Sequence, residues 1–546
     1  MDRIIIFMLI VFFACAEQKD ERPNIIVILV DDMGYSDIGP YGGEIPTPNL
    51  DHLSSNGYTM TNFYNAGRCC PTRASLLTGV YQHQAGIGHM TNSKKDSLGE
   101  FIPSYQGFLN DQCVTLGEAL KHNGYQTYLS GKWHVGENEA NWPGKRGFDH
   151  YFAFINGASS YFNIEGFWTP DQKLRLVLDG QNFKLPADFY MTDAITDHAR
   201  NFIDSAATHN QPFFMYVAYT APHWPLHALG KDIDKFSGKY MGGWDSVRNI
   251  RYQKMKNKGV ISPEWELSEK FIFNNYEMAW RNDEKLPMTP NWDSLSIEEK
   301  RVWDKRMAVY AAMVHAMDRG VGEIREKLIE HGIEENTLIM FMSDNGACHE
   351  PIYVWDLFYP SDGPIGGPRS FEAVGYPWAN VSNTPFRLFK HWTLEGGIST
   401  PFIAYWPEKI QPKLDTSNIG HIIDVMATCT DIAGNYPEKY QEKSIIDMEG
   451  NSLMPLLVDG KDFPERTLFW EHEGNWAVRD GQWKLVYTYP CPETNGQEIL
   501  ALYNIRYDRD ENNNLIADEP HIAKDLKNKY DDWAKRVGVV EKQFLF

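Results

Sequence analysis

Two pairs of acidic and amide side chains follow apolar runs of this sequence and could together bind a metal ion. Asp31 and Asp32 come directly after one long apolar run, and Asp344 and Asn345 follow another. Adjacent carboxylates repel each other unless a cation or a basic group compensates their charge. Oxygen ligands from two strand ends are typical of a hard divalent cation site, and calcium fits them best. Each pair taken singly is also common in turns and helix caps.

A second informative segment contains the pattern Cys-x-Pro-x-Arg, which runs from Cys69 to Arg73 and leads into a helix-like stretch ending in Leu-Thr-Gly. Three other segments carry basic side chains in compact motifs. They are Gly131-Lys132-Trp133-His134-Val135-Gly136, Ala221-Pro222-His223-Trp224-Pro225, and Lys390 shortly before Glu395-Gly396-Gly397. Alone, a histidine in such a motif is more often structural and a lysine is usually solvated.

Together these segments resemble the motifs of the type I sulfatases of the alkaline phosphatase superfamily, over a stretch from about Pro23 to the C-terminus. The resemblance implies that a formylglycine-generating maturation enzyme oxidises Cys69 to formylglycine. The hydrate of that aldehyde carries two hydroxyls on one carbon, so that one can attack sulfur and the other can later expel the sulfate. Thr72 stands where the family more often has serine, a replacement that the family tolerates.

The resemblance also implies a role for each polar residue. Asp31, Asp32, Asp344 and Asn345 would hold one calcium ion together with an oxygen of the modified Cys69.

The remaining polar residues would act on the sulfate group. Arg73 would stabilise the formylglycine hydrate, and Lys132 and Lys390 would bind sulfate. His134 would handle the proton of the formylglycine hydroxyl, and His223 would meet the leaving-group oxygen. These roles agree with general chemistry, because a sulfate ester needs its charge neutralised, a nucleophile in line and a proton for the departing alkoxide.

The motifs lie in a pattern of strands alternating with helices, which favours an α/β fold with helices on both faces of the sheet. Strand-like runs occur at 24–30, 125–129, 213–218, 338–342 and 402–406, and helical patterns at 115–122 and 307–331. We therefore expect an alkaline phosphatase-like, mixed and mostly parallel central sheet. Ligands bind beyond the carboxyl ends of such strands, where the polar motifs fall. The charged segment 224–303 reads as an irregular insertion that lines the entrance.

The chain divides into three expected parts. Residues 1–14 read as a signal peptide, 22–460 as the catalytic domain and 461–546 as a C-terminal subdomain. The last part is predicted to contain a small antiparallel sheet, with a hairpin around Asp480-Gly481, and a terminal helix over 522–537.

The N-terminus has the features of an export signal. Arg3 precedes the apolar run from Ile4 to Ala14, which is too short to span a bilayer but typical of a signal-peptide core. Cys15 then resembles the lipid-bearing cysteine of bacterial lipoproteins, and an ordinary cleaved signal with an incidental Cys15 is the alternative. Either interpretation predicts export, to the periplasm or to the outer membrane or surface of a Gram-negative bacterium. Membrane attachment would then be through a lipid anchor alone.

Composition excludes some partners. The 546 residues carry a formal net charge of −21, which argues against nucleic acid because phosphate binding needs a basic surface. The seven cysteines show no regular spacing and no Cys-x-x-Cys pair, so we expect neither a disulfide framework nor a zinc finger.

Substrate selectivity should lie outside the sulfate pocket. His227 and His472 are predicted substrate-binding residues beside Lys132, His223 and Lys390. Trp224 and Glu473 could complete a sugar subsite, although aromatic residues more often pack in the core. Export and acidity fit the breakdown of sulfated polysaccharides of algae or animals, with small aryl sulfates as further substrates.

Two other functions stay open. The protein could be a phosphonate or phosphate monoester hydrolase of the same superfamily, or a non-catalytic glycan-binding lipoprotein.

Two further motifs are interpreted as incidental. The stretch 508–515 with Glu519 resembles an EF-hand loop but has Asn513 where that loop needs glycine, and Asn380-Val381-Ser382 is a glycosylation sequon.

Overall fold

The structure is a computed structural model that describes residues 20–542. Within that range it leaves out 96–97, 168, 170–171, 273–275, 278–284, 287, 355–360, 441, 492–493 and 495. The predicted signal segment 1–14 and Cys15 lie outside the described residues.

The strands are named in chain order. They are β1 Asn24–Val30, β2 Tyr58–Tyr64, β3 Gln126–Lys132, β4 His150–Phe154, β5 Leu176–Leu178, β6 Gln181–Asn182, β7 Phe213–Ala218, β8 Tyr276–Glu277, β9 Lys285–Leu286, β10 Thr337–Ser343, β11 Ser399–Tyr405, β12 Lys413–Asp415, β13 Gly420–His421, β14 Lys439–Tyr440, β15 Lys443–Ser444, β16 Thr467–His472, β17 Asn475–Asp480, β18 Trp483–Thr488 and β19 Ile499–Asn504.

The α-helices are named in the same way. They are α1 Pro48–Ser55, α2 Cys69–Thr78, α3 Leu116–His122, α4 Met191–Ala206, α5 Gly230–Ile233, α6 Trp244–Lys258, α7 Ile297–Glu330, α8 Gly375–Ser382, α9 Glu395–Ile398, α10 Asp424–Ala433, α11 Met454–Leu457 and α12 Pro520–Val537.

A large mixed sheet forms the centre of the molecule. In the described part of the chain it contains eleven strands in the order β12-β2-β11-β10-β1-β7-β3-β4-β5-β6, with β13 beside β2. The middle of the sheet is parallel, because β1 pairs in parallel with both β10 and β7, and β3 pairs in parallel with β7 and β4. Strand β11 pairs antiparallel with β10. This confirms the expected mixed, mostly parallel sheet.

The central strands are apolar throughout because both faces of the sheet are covered. Residues of β1 alternate between the two main hydrophobic clusters, with Ile26 and Ile28 on the face packed against α4 and α7 and with Ile25 and Val27 on the other. A strand buried on both faces reads as a continuous apolar run rather than as an alternation. The run preceding Asp31 was therefore a sound strand signal.

Helix α7 covers one face of the sheet and is longer than predicted. It begins at Ile297 rather than near 307, with Ser296 and Glu299 forming a capping box at its start. Further along, Asp318 of α7 accepts hydrogen bonds from the first backbone N–H groups of α1, with 2.8 Å to Leu50 N and 3.3 Å to Asn49 N. The acidic side chain thus caps a neighbouring helix whose first N–H groups have no partner inside that helix.

The expectation for 224–303 was partly wrong. Instead of an irregular insertion, this segment contains α6, whose buried side chains recur at helical spacing, including Trp244, Val247, Arg251 and Met255. Its charged residues hid that pattern, because Arg251 is itself buried between Asp37 and Glu44.

A second, smaller sheet follows the central one in sequence. It has the antiparallel order β16-β17-β18-β19, and α12 packs on it, with the rings of Trp476 and Tyr530 stacked 4.2 Å apart. This confirms the predicted hairpin around Asp480-Gly481, the terminal helix and the C-terminal antiparallel sheet. The domain boundaries themselves stay a prediction. Among the described residues, none of the helices has both the length and the apolar character that crossing a bilayer would require.

Buried charges connect the small sheet to the central domain. Lys484 of β18 donates to Glu395 at 2.8 Å and to Glu511 at 2.9 Å, and Arg509 donates to Glu395 at 2.7 Å. All four side chains are fully or almost fully buried. Because Glu395 begins α9 five residues after Lys390, this ion cluster holds one end of the loop that carries the predicted sulfate-binding lysine.

Candidate active site

Most of the predicted site residues meet at one edge of the central sheet, where four parallel strands end. Strand β1 leads to Asp31, β10 leads to Asp344, β3 ends at Lys132, and β7 leads into the loop of His223. The carboxyl ends of neighbouring parallel strands place their following residues together. Gly131 permits this close approach, since a Cβ there would lie 1.9 Å from the carbonyl oxygen of Ala218.

The acidic and amide residues form a compact buried cluster. Asn345 Nδ2 donates to Asp32 Oδ1 at 2.6 Å, and the Asp32 backbone N–H donates to Asp344 Oδ1 at 3.2 Å. Asp32 has a φ of 63°, a left-handed conformation that is uncommon for a residue with a side chain. The structure thus brings together all four residues that the sequence predicted as oxygen ligands.

The cluster fits a divalent cation. Among the described residues, no protein group hydrogen-bonds to Oδ1 of Asp31 or to Oδ1 of Asn345, although both atoms are buried. Burial raises the pKa of Asp344 well above its ordinary value, and the neighbouring Asp31 adds to this while Arg73 opposes it, so that a cation bound here would favour the ionised carboxylate. A calcium ion would satisfy both orphan oxygens and stabilise the ionised carboxylates.

Cys69 lies beside this cluster as the first residue of α2 and is 2% exposed. A hydrogen bond with Cys70 lowers the pKa of the Cys69 thiol most, and Lys132, Lys390 and His134 lower it further, while burial opposes them. The same cations would stabilise any anionic oxygen that stands at this position after modification. A helix N-terminus adds partial positive charge.

Arg73, one turn along α2, points back into the cluster. Its Nη2 donates to Asp344 Oδ2 at 2.7 Å and lies 3.8 Å from Asp31 Oδ2. Its Nη1 donates to the backbone carbonyl of Lys132 at 3.2 Å. Arg73 therefore ties the helix of Cys69 to the ends of β1, β3 and β10.

His134 faces Cys69 from the end of β3. Burial lowers the pKa of His134 to about 4, partly offset by its interaction with Cys69, so the imidazole is neutral and able to accept a proton. A Cβ on Gly157 would lie 2.7 Å from Nε2 of His134. Glycine at that position leaves space over the ring.

Lys132, Lys390 and His223 surround the remaining carboxylate oxygens. Lys132 Nζ donates to Asp31 Oδ2 at 2.6 Å, and Lys390 Nζ donates to Asp32 at 2.9 Å. His223 Nε2 lies 3.3 Å from Lys390 Nζ and 3.4 Å from Asp32 Oδ2.

His223 is held in one orientation by its neighbour. Its Nδ1 lies 2.6 Å from the carbonyl oxygen of Trp224, so Nδ1 carries the hydrogen and Nε2 faces Lys390. Burial lowers the pKa of His223 to about 4, with Asp32 opposing and Lys390 and Lys132 contributing. An anion bound next to Nε2 would raise that pKa and favour the protonated form.

The site's charges balance without a metal ion. Three cationic side chains, Arg73, Lys132 and Lys390, meet three carboxylates, those of Asp31, Asp32 and Asp344. A bound divalent cation would leave the site with a positive surplus that an anionic substrate can neutralise. Such a surplus would explain how a chain with a charge of −21 can attract a negatively charged group locally.

Above these residues a cavity of about 560 Å³ opens to solvent. Cys69, His134, His223 and Lys390 line it together with residues that the sequence analysis did not single out. These are Arg68, Met90, Glu137, Asn156, Gly157, Ala158, Gln172, Lys173, Leu174 and Glu350, and Trp224 completes the wall. Among the described residues of 224–303, which leave out 273–275, 278–284 and 287, Trp224 alone lies on this wall. The described residues therefore support the expectation that this segment lines the entrance only at its first position.

Arg68 and Glu350 form an ion pair on this wall. Arg68 Nη1 donates to Glu350 Oε1 at 3.0 Å, and Trp224 Nε1 donates to Glu350 Oε2 at 2.8 Å. The placement of Arg68 directly before Cys69 was a signal that sequence reasoning could have used. Glu350 carried none, because it lies in a loop well past the end of β10.

Two predicted substrate-binding residues are not brought to the cavity. His227 is fully buried, its Nε2 lies 2.8 Å from the Ser370 carbonyl oxygen, and its Nδ1 faces the backbone N–H of Tyr161. His472 is also fully buried, at the end of β16. The proximity of both to family motifs in sequence therefore did not translate into a place on the cavity wall.

Comparison with known proteins identifies the family. A family model described as Sulfatase matches residues 23–435. An uncharacterized sulfatase of Schizosaccharomyces pombe is 32% identical over 555 residues, which covers 96% of this chain and 95% of that protein. An arylsulfatase of Klebsiella aerogenes is 36% identical over 455 residues, covering 80% of this chain and 92% of that protein.

A solved structure has a similar fold over nearly the whole chain. The crystal structure of Ps i-CgsB in complex with k-i-k-neocarrahexaose superposes with a TM-score of 0.66 at 25% identity, covering 94% of this chain and 93% of that one. Family, relatives and fold thus coincide with the motifs gathered around Cys69. The chain belongs to the type I sulfatase family and is a sulfuric ester hydrolase.

Proposed function

We propose that this sulfatase is exported and removes sulfate groups from sulfated polysaccharides or their oligosaccharides. We further propose that it uses a formylglycine made from Cys69 and a calcium ion held by Asp31, Asp32, Asp344 and Asn345. The observation that carries this proposal is the convergence of Cys69, two lysines and two histidines with an unsatisfied oxygen cluster at the floor of an open cavity.

A modified residue and a metal ion would supply chemistry that the unmodified chain does not have. Formylglycine would provide a geminal diol as nucleophile, and calcium would provide Lewis-acid stabilisation of negative charge.

The chain's own residues account for the rest. Lys132 and Lys390 neutralise the sulfate group in a water-poor site, where fixed charges act strongly. His223 Nε2 is placed to protonate the leaving oxygen, and the neutral His134 is placed to take a proton from the residue at position 69. Arg73 fixes the relative position of Cys69 and the oxygen cluster.

The cavity supports a carbohydrate substrate. Its volume of about 560 Å³ lies in the range of small-molecule sites, and its wall offers the polar side chains of Asn156, Gln172 and Glu350 for hydroxyl groups. The similar Ps i-CgsB structure is a complex with k-i-k-neocarrahexaose. Trp224 presents an aromatic ring at the same wall.

Export rests on the sequence before the described residues. Arg3, the apolar run to Ala14 and Cys15 together form a signal with a lipoprotein-like end. Cell fractionation of the full chain and of Cys15→Ala tests this proposal. We expect both proteins outside the cytoplasm and membrane association of the unaltered chain alone, whereas cytoplasmic retention of both would contradict export.

The decisive experiment measures sulfate release from a panel of sulfated poly- and oligosaccharides. Enzyme produced together with a formylglycine-generating enzyme is compared with Cys69→Ala, and the mass of the peptide containing residue 69 is determined. We expect release by the first protein and loss of at least 10³-fold in the second, because the nucleophile is removed. A calcium-specific chelator should inactivate the first protein, and added Ca²⁺ should restore it.

The outcomes separate the alternatives. An aldehyde at position 69 without sulfate release from any substrate, but with release from phosphate or phosphonate esters, would replace the proposal with the related hydrolase activity. Glycan binding without any hydrolysis would favour a non-catalytic role. Full activity with an unmodified Cys69 would contradict the formylglycine proposal.

A further inference from the structure

A second cluster of metal-ligand side chains lies beside the loop that carries Lys390. It consists of His391, His472 and Glu473, whose ligand atoms all lie within 4.8 Å of one another. His472 Nε2 is 3.7 Å from Glu473 Oε1, and His391 Nδ1 is 3.5 Å from Glu473 Oε2. Ligand atoms around a tetrahedral zinc ion lie about 3.3 Å apart, since each is about 2.0–2.2 Å from the metal. The two distances to the carboxylate approach that value, and the ligand atoms of the two histidines lie within 4.8 Å of each other.

His472 gives the independent sign that a ligand belongs here. The residue is fully buried, and within the described part of the chain neither of its ring nitrogens has a hydrogen-bond partner. Buried polar side chains are nearly always paired. The ring of His472 lies between two other imidazoles, with centroids 5.8 Å from His89 and 5.4 Å from His391. Its nitrogens are therefore close to other side chains that can bind a metal ion.

The backbone holds the cluster in an unusual conformation. His472 ends β16, and Glu473 with Gly474 forms the two-residue turn into β17, at φ values of 52° and 83°. His391 has a φ of 91°. A two-residue hairpin turn commonly has positive φ at both of its residues, so His391 is the residue of this cluster whose left-handed conformation no hairpin turn explains.

The surroundings also resemble the outer shell of a metal site. His89 Nε2 lies 2.8 Å from Glu473 Oε1, and ligating carboxylates are commonly held by such a partner. The backbone N–H of His391 donates to the carbonyl oxygen of Gly67 at 2.9 Å. His391 is therefore connected to the segment that leads into Cys69.

We propose that His391, His472 and Glu473 bind one zinc ion, with His89 orienting the carboxylate. Two imidazoles and a carboxylate are a zinc ligand set, in contrast to the all-oxygen set of Asp31, Asp32, Asp344 and Asn345. The ion would join the turn of the C-terminal sheet to the loop next to Lys390. The proposal does not depend on the calcium or formylglycine chemistry.

Metal analysis of the full-length protein tests the proposal. The chain is stripped by a chelator, saturated with Ca²⁺ and titrated with Zn²⁺ by equilibrium dialysis, with both metals measured. We expect one zinc per chain in addition to calcium. His472→Ala and the isosteric Glu473→Gln should each weaken zinc affinity at least tenfold with calcium content unchanged. His521→Ala, at an exposed histidine near Glu519, should behave as the unaltered chain.

A further variant separates this site from the catalytic one. Cys69, Cys70 and His134 also converge within 4.8 Å, so an unmodified thiol could capture zinc. We expect Cys69→Ser to retain the zinc. Loss of zinc in Cys69→Ser, with unchanged binding in Glu473→Gln, would overturn the proposal, and so would the absence of stoichiometric zinc in the unaltered chain. Should His472→Ala fail to fold, visible absorption of the Co²⁺ form decides, since its tetrahedral band should vanish in Glu473→Gln.

Discussion

The carboxylate of Asp32 lies beside two residues of the cavity wall, Lys390 and His223. Lys390 Nζ lies 2.9 Å from Asp32 Oδ2, and His223 Nε2 lies 3.4 Å from the same oxygen. With its pKa lowered to about 4 by burial, His223 is neutral in the free enzyme at pH 7. On the proposed mechanism, a bound anionic substrate would raise this pKa, so that Nε2 takes up a proton from solvent and can then donate it to the leaving oxygen.

This role predicts a dependence on the leaving group. We expect His223→Ala to lower kcat by about 10²- to 10⁴-fold for a sugar sulfate, the range typical of general acid catalysis. The loss should be much smaller for an activated aryl sulfate, whose phenolate departs without protonation. Steady-state kinetics with both substrates measures the ratio, and an equal loss for both would assign His223 a positioning role instead. His227→Ala serves as a control at a buried histidine outside the cavity.

At the scale of secondary structure, α7 and α1 are joined by an acid in an unusual environment. Burial raises the pKa of Asp318 to about 6, even though the N–H groups of Asn49 and Leu50 oppose the shift. A carboxyl whose folded pKa exceeds its unfolded value stabilises the fold fully below about pH 4. That contribution is lost as the pH rises through about 6.

We therefore expect the free energy of unfolding, relative to that of Asp318→Asn, to fall by about 2 to 3 kcal/mol between pH 4 and pH 7, from a shift of about two pKa units. Urea unfolding of both proteins across this range measures the difference. Asp234→Asn, at an exposed position, should show no such slope. A difference between wild type and Asp318→Asn that stays constant with pH would contradict the prediction.

Some of these strands, helices and turns could be predicted from the sequence and others could not. Strands buried on both faces, such as β1, β7 and β10, were found because their apolar runs are continuous, and turns such as Asp480-Gly481 were found because few residues adopt their backbone conformation. Strand β2 and helix α6 were missed, because Asn62 and two threonines interrupt the apolar pattern of the strand and charged residues dominate the helix. Motif spacing predicted the residues that the structure brings together around Cys69. The wall residue Glu350 and the pairing of His391 with the distant Glu473 depend on long-range packing that no local pattern encodes.

At the scale of the whole molecule, buried charge holds the C-terminal sheet against the central domain. Removing one partner of a buried ion pair leaves an uncompensated charge and typically destabilises a protein by about 3–5 kcal/mol. We expect Lys484→Met to have an effect of this size, because it leaves Glu511 without its cation. Urea unfolding and limited proteolysis before β16 would measure it.

A surface pair provides the matched control. Lys529 of α12 lies 2.6 Å from Asp480 and 2.9 Å from Asp525, and its side chain is 39% exposed. Lys529→Met should therefore change stability by less than about 1 kcal/mol. Equal effects of Lys484→Met and Lys529→Met would show that the buried cluster does not hold the two sheets together.

The burial of Cys69 limits the time during which this residue could be modified. In the folded chain Cys69 is 2% exposed, so on the proposed mechanism a maturation enzyme would have to reach it before folding is complete. Asp344, whose carboxylate binds Arg73 of α2, is synthesised 275 residues after Cys69. At about 5–20 residues per second, this leaves a window of about 15 to 55 seconds during synthesis. On the proposed mechanism, a chain that folds before Cys69 is modified stays inactive. The fraction of active enzyme then depends on the rate of modification relative to the rate of folding during translation and export.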